Sequence, residues 1–164
     1  MKGKKYKSRY FLKLGMTLLL AVIVFKFIYG IYIMHGNYMF PALRDGDLVI
    51  TYRLEVPRSS EIVAYKVGRK YYLGRVVAGE GDIVEIGENG ELLINGGTPA
   101  EEIFYPTLRA EGSEITYPYQ VSDGCVFVLN DYRTLENPDS RSLGEINKKD
   151  LGGKLAFLLR RRGF

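Results

Sequence analysis

Apolar residues run almost unbroken from Phe11 to Met34, FLKLGMTLLLAVIVFKFIYGIYIM. The 21 residues from Leu14 to Met34 match the length that crosses a bilayer core. Lys26 interrupts the run, but a lysine stem is long enough to carry its ammonium to the headgroups. After His35 the pattern changes to short apolar stretches separated by glycine and polar turns. Leu48–Arg53, Glu61–Val67, Lys70–Ala78, Ile83–Ile86, Leu92–Asn95, Val126–Asn130 and Lys154–Leu159 all read as strands. Gly68-Arg69 is a two-residue hairpin turn, which pairs Val63 with Gly74 and Lys66 with Tyr71. Gly87 to Glu91 closes a second hairpin. Residues 96–120, with three prolines, read as a surface insertion or small cap, and residues 134–144 as a loop. The expected architecture is mainly β: an antiparallel sheet or barrel behind one N-terminal transmembrane helix. Its parts are a basic tail over 1–10, an anchor over 11–34 and an extracytoplasmic domain over 35–164.

Charge sharpens this division. Seven of the 23 basic residues precede His35 and none of the 19 acidic ones does, so the remainder is acidic by three charges. The basic cluster before the span predicts a cytoplasmic N-terminus and an outer C-terminal domain. An acidic domain has no electrostatic footprint for nucleic acid. One cysteine, Cys125, and one histidine, His35, do not make a metal site, so no metal and no cofactor is expected. Cys125 lies in the apolar run CVFVL and reads as a buried thiol. His35 reads as an interfacial residue at the membrane exit.

Three stretches carry the candidate chemistry. HGNYMFPALRDGDLVI, His35 to Ile50, holds Met39, Pro41, Leu43, Gly46, Asp47 and Val49. RVVAGEGD runs from Arg75 to Asp82. FVLNDYRTLENPDSRSLGEI supplies Asp131, Arg133, Asp139, Ser140, Arg141 and Gly144. In this order, behind an N-terminal anchor and ahead of a final strand at Gly153–Phe157, they resemble the boxes of the type I signal peptidases. Such membership implies a Ser–Lys dyad, in which a buried lysine of depressed pKa takes the proton of the attacking serine. Here Tyr38 stands at the serine position and Gly74 at the lysine position. Asn130 and Tyr132 also depart from the late box.

Substitutes for the dyad are poorly placed. Lys70 lies four residues from Gly74, about 13 Å along a strand. Lys66 points to the opposite face. A phenol of ordinary pKa near 10 stays protonated at neutral pH, and Ser140 matches a supporting position. Both halves of the dyad are therefore missing from a retained scaffold. The resemblance places a peptide cleft along Gly36, Tyr38, Met39, Pro41, Gly74 and Arg75. It assigns structural support to Asp131, Arg133, Asp139, Ser140 and Arg141; as neighbours in sequence, Asp131 with Arg133 and Asp139 with Arg141 are placed to pair or to tie the late loop to the site. It suggests a non-catalytic membrane protein that binds an exported peptide or a pilin- or sortase-type partner, as in Gram-positive pilus assembly. The alternative is an active endopeptidase of non-standard mechanism, cutting exported precursors after small residues. Because a strand glycine leaves space, the Tyr38 ring is expected to pack on Gly74 and fill the lysine's place.

Overall fold

A computed structural model of the chain describes residues 2–100, 103, 105–133 and 137–160. Helix α1 covers Lys2–Ile28. Its segment Tyr10–Ile28 is long and apolar enough to cross a bilayer, and its large side chains there are exposed. The helix stops short of the expected anchor boundary. Tyr29–Ile33 forms strand β1 instead, paired antiparallel with β2, Leu48–Tyr52. The run Tyr-Gly-Ile-Tyr-Ile is rich in aromatic and β-branched residues, which favour strand. Lys26 consequently lies in the last helical turn, where the negative end of the helix dipole favours a cation.

The strands that follow are β3 (Ile62–Val67), β4 (Lys70–Ala78), β5 (Ile83–Ile86), β6 (Leu92–Ile94), β7 (Tyr119–Gln120), β8 (Cys125–Leu129), β9 (Ile146–Asn147) and β10 (Leu151–Leu159). A short helix α2, Ser140–Leu143, interrupts the late loop. Seven strands form one antiparallel sheet in the order β1-β2-β10-β3-β4-β8-β9, and β6-β5-β7 form a second. The larger sheet is open, with β1 and β9 at its edges, and does not close into a barrel. Residues 96–120 contribute β7 to the small sheet, so the insertion is partly structural.

The larger sheet is buried on both faces at its centre, which is why β3 and β8 read as unbroken apolar runs. On one face Val63, Tyr65, Val76, Val126 and Val128 cluster with Ile146. On the other, Ile62, Ala64 and Leu73 pack with Met34, Tyr38, Met39, Leu43 and Val49 from the first box. The small sheet supplies Val84, Ile86 and Leu92 to a third cluster with Phe127, Leu129 and Cys125. Cys125 is buried as expected.

Candidate functional site

The β3–β4 hairpin has the register read from its turn: Val63 opposes Gly74 and Lys66 opposes Tyr71. In a two-residue hairpin the turn-flanking pair is hydrogen-bonded, and bonded and non-bonded pairs then alternate. Val67–Lys70 is that flanking pair, so Leu73, opposite Ala64, turns its N–H and C=O away from β3. On that side β8 pairs with β4 only from Arg75 onward. Among the described residues no strand pairs with the outer edge of β4 at Tyr71–Leu73.

Tyr38 meets the chain at this open edge. Tyr38 is 9% exposed and packs in the cluster that holds Leu73. Burial pushes the Tyr38 phenol above its ordinary pKa, against a partial lowering by the Leu73 backbone at its hydroxyl; Tyr72 adds to the rise. Among the described residues, no lysine or histidine acts on this phenol. A tyrosine held in its neutral form is a weaker nucleophile than one of ordinary pKa.

The topology therefore brings Tyr38 to β4 beside Gly74, yet Tyr38 is not what fills the glycine's space. Successive strand residues point to opposite faces, and Gly74 turns its missing side chain away from the Leu73 face. A Cβ built there would lie 2.5 Å from Val128 Cγ1, 3.0 Å from Tyr65 Cε1 and 3.4 Å from the Leu129 carbonyl oxygen. The expectation that the Tyr38 ring fills the lysine's place is thus corrected to Tyr65 and Val128. Tyr65 is fully buried, stacks on Tyr72 at 5.9 Å between centroids, and donates its hydroxyl to the Pro138 carbonyl at 3.2 Å. Burial drives its pKa strongly upward, and the nearby charges of Asp139, Tyr38 and Tyr72 add to the rise. Two neutral phenols, Tyr38 and Tyr65, thus crowd the positions where the family pattern has a hydroxyl and an amine.

Nothing in the residue itself marks Tyr65 beyond its place in the strand Glu61–Val67. The hairpin register contained the signal. Tyr65 lies two residues beyond Val63, hence on the same face and diagonal to Gly74, within reach of an aromatic ring.

The supporting residues form a buried polar frame behind β4 and β8. Asp131 is fully buried and takes the Arg75 guanidinium in a two-point pair, Nε at 2.7 Å and Nη2 at 2.6 Å. The expected Asp131–Arg133 pair gives way to Asp131–Arg75. Arg133 instead donates to the Asn130 carbonyl and to Thr107 Oγ1. The Asp139–Arg141 pair is present, with Nη2 at 2.8 Å, and Asp139 also caps α2. Ser140 Oγ accepts the Val128 amide at 2.9 Å, a structural bond. The Tyr132 amide donates to the Tyr38 carbonyl at 2.9 Å, tying the late box to the first.

The first box is braced from within. The Gly36 amide donates to Asp45 Oδ1, and the Arg44 amide and Arg160 Nη2 donate to Asp47 Oδ2. Burial works to raise the Asp47 pKa, but Arg160 and the Arg44 amide outweigh it and hold the carboxyl below its ordinary value. Of the expected cleft residues, Gly36 and Pro41 are exposed, whereas Met39 is fully buried core and Arg75 is committed to Asp131. Among the described residues no group of His, Cys, Asp and Glu could hold a metal ion.

An N-terminal helix long and apolar enough to cross a membrane, an open antiparallel sheet and three boxes converging on β4 define a protein of the signal peptidase type. The chain belongs to the signal peptidase family, peptidase S26, whose model matches residues 7–159. It is 30% identical to signal peptidase I of Bacillus caldolyticus, over 80% of this chain and 79% of that one. It is 29% identical to signal peptidase IB of Staphylococcus aureus strain Mu50, over 94% and 90% respectively. A crystal structure of a signal peptidase I from Enterococcus faecalis V583 superposes with a TM-score of 0.52 at 24% identity, covering 62% of this chain and 98% of that one, and shares the fold.

Proposed function

We propose that this chain is a non-catalytic member of its family that holds an extended exported peptide or a protein partner at the open edge of β4. The observation that carries the reading is the packing at Gly74: the first side-chain carbon of a lysine there would meet Val128 at 2.5 Å and Tyr65 at 3.0 Å. Tyr38 supplies a buried phenol of raised pKa instead of a serine. The peptide-holding half rests on the unpaired Tyr71–Leu73 edge, since added strands bind through main-chain hydrogen bonds and need no dyad. By analogy with dyad-less relatives, the biological role is assistance to pilin assembly beside a sortase at the cell surface.

In this reading the Tyr38 hydroxyl competes with a bound peptide for the Leu73 backbone. Tyr38→Phe keeps the ring and removes the competitor, so an alternating small-residue peptide should bind about fivefold tighter, the worth of about 1 kcal/mol for one hydrogen bond. Titration of the full chain in detergent reads this directly. Equal affinities for the two proteins would remove Tyr38 from the cleft, and no binding to either would remove the cleft.

The anchor is proposed to run with its N-terminus in the cytoplasm, because the basic residues cluster ahead of the span. Protease added to wall-stripped intact cells should digest residues 35–164 while a cytoplasmic marker survives. Protection of both would reverse the orientation.

A further inference from the structure

Beside the vacated dyad, a cavity of about 450 Å³ opens between the first box and the late loop, lined by Asn37, Phe40, Arg44, Tyr105 and Tyr132. Its volume lies within the range of small-ligand pockets. Tyr105 and Tyr132 meet edge-on at 4.5 Å, and the Arg44 guanidinium lies 5.6 Å from the centre of the Phe40 ring. Tyr132 is one of the departures from the late box, and its amide holds the Tyr38 carbonyl at 2.9 Å. Main chain therefore joins positions 38 and 132, and the Tyr132 side chain walls the cavity. Among the described residues Arg44 is the one charged residue in the lining, and no carboxylate lies in an ion pair with its guanidinium; its charge acts on Asp47, whose own ion pair is with Arg160. A guanidinium placed over a ring keeps its edge N–H groups available for an anion.

We infer that this cavity is a recognition pocket for a peptide segment in which a carboxylate adjoins an aromatic ring. The ring packs between Tyr132, Tyr105 and Phe40, and the carboxylate meets Arg44. The pocket's place along a longer peptide rests on the cleft reading above, because Tyr38 separates it from the β4 edge. Its chemistry does not. A peptide held along β4 would be selected here by its acidic-aromatic pair, a preference distinct from one for small residues.

Because the chain contains no tryptophan, a dipeptide probe reports on itself. N-acetyl-Asp-Trp-amide and N-acetyl-Lys-Trp-amide are too short to span the cleft. Each is titrated against the full chain in detergent by Trp emission, with empty micelles as baseline. The Asp probe should bind about tenfold tighter than the Lys probe, the order expected of one charge-assisted hydrogen bond. Arg44→Glu, at an exposed position, should reverse that preference, and Tyr132→Ala should abolish binding of both. Equal binding of the two probes, or a preference unchanged by Arg44→Glu, overturns the inference. If the strand-forming peptide of the preceding section binds while the dipeptides are not distinguished, the pocket falls and the cleft stands. The opposite pattern leaves the pocket and removes the cleft.

Discussion

Asp139→Ala should destabilise the domain by about 3–5 kcal/mol, the range for breaking a buried ion pair from one side. Asp139 is 1% exposed and Arg141 6%, so the truncation leaves a buried guanidinium without its counter-charge. The same carboxylate accepts the Asn130 amide at 3.1 Å and the Arg141 amide at 3.0 Å, the latter being the bond that caps α2. The loss therefore includes the join between the end of β8 and the late loop. Urea unfolding of the full chain in detergent measures it, with Asp139→Asn as the partial case that keeps one acceptor oxygen and no charge. A loss below about 1 kcal/mol, the scale of an exposed pair, would show that the frame around Arg141 is not a closed, dry network.

The second large effect is a coupling between two positions. Gly74→Lys should cost about 1–3 kcal/mol by overpacking, since its Cβ alone meets Val128 and Tyr65 at 2.5 and 3.0 Å. Adding Tyr38→Ser should not recover this loss, because Tyr38 is not what the lysine strikes. Adding Tyr65→Ala should recover part of it. Alone, Tyr65→Ala should cost about 3–5 kcal/mol as a large core truncation, and the double variant should be more stable than the sum of the two losses by at least about 0.5 kcal/mol. Strict additivity in that cycle, or full rescue by Tyr38→Ser, would contradict the packing described at Gly74. The triple change of Tyr38→Ser, Gly74→Lys and Tyr65→Ala supplies both dyad residues and removes one of the two side chains that crowd position 74, Val128 being the other.

Much of this was legible in the chain before its fold was known. The turn at Gly68-Arg69 fixed the hairpin register, so the partners of Gly74 and Lys66 followed from counting. The unbroken run at 125–129 announced a strand buried on both faces. The end of the anchor was less legible, because apolar composition continues through Tyr29–Ile33 whether that stretch lies in lipid or pairs with β2. The ion pairs were half legible. Neighbours in sequence suggested Asp131 with Arg133, but at the end of β8 Asp131 faces Arg75 on the adjacent strand, and Arg75 opposes Leu129 in the register. The filling of the lysine's place went unread because Tyr38, the conspicuous substitution, drew the inference away from Tyr65. A ring two residues along the neighbouring strand reaches a glycine more directly than one arriving from a distant loop.

In the proposed function the scaffold of a signal peptidase persists here without its catalysis. The direct measurement is incubation of the purified full chain with a secretory precursor carrying a small-residue cleavage site, read as mature product over time. No product is expected above a mock purification from the same host, and none from Tyr38→Ser. Cleavage by the unmodified chain that exceeds the mock and is lost on Tyr38→Phe would contradict the proposed function, because the buried phenol would then be the nucleophile.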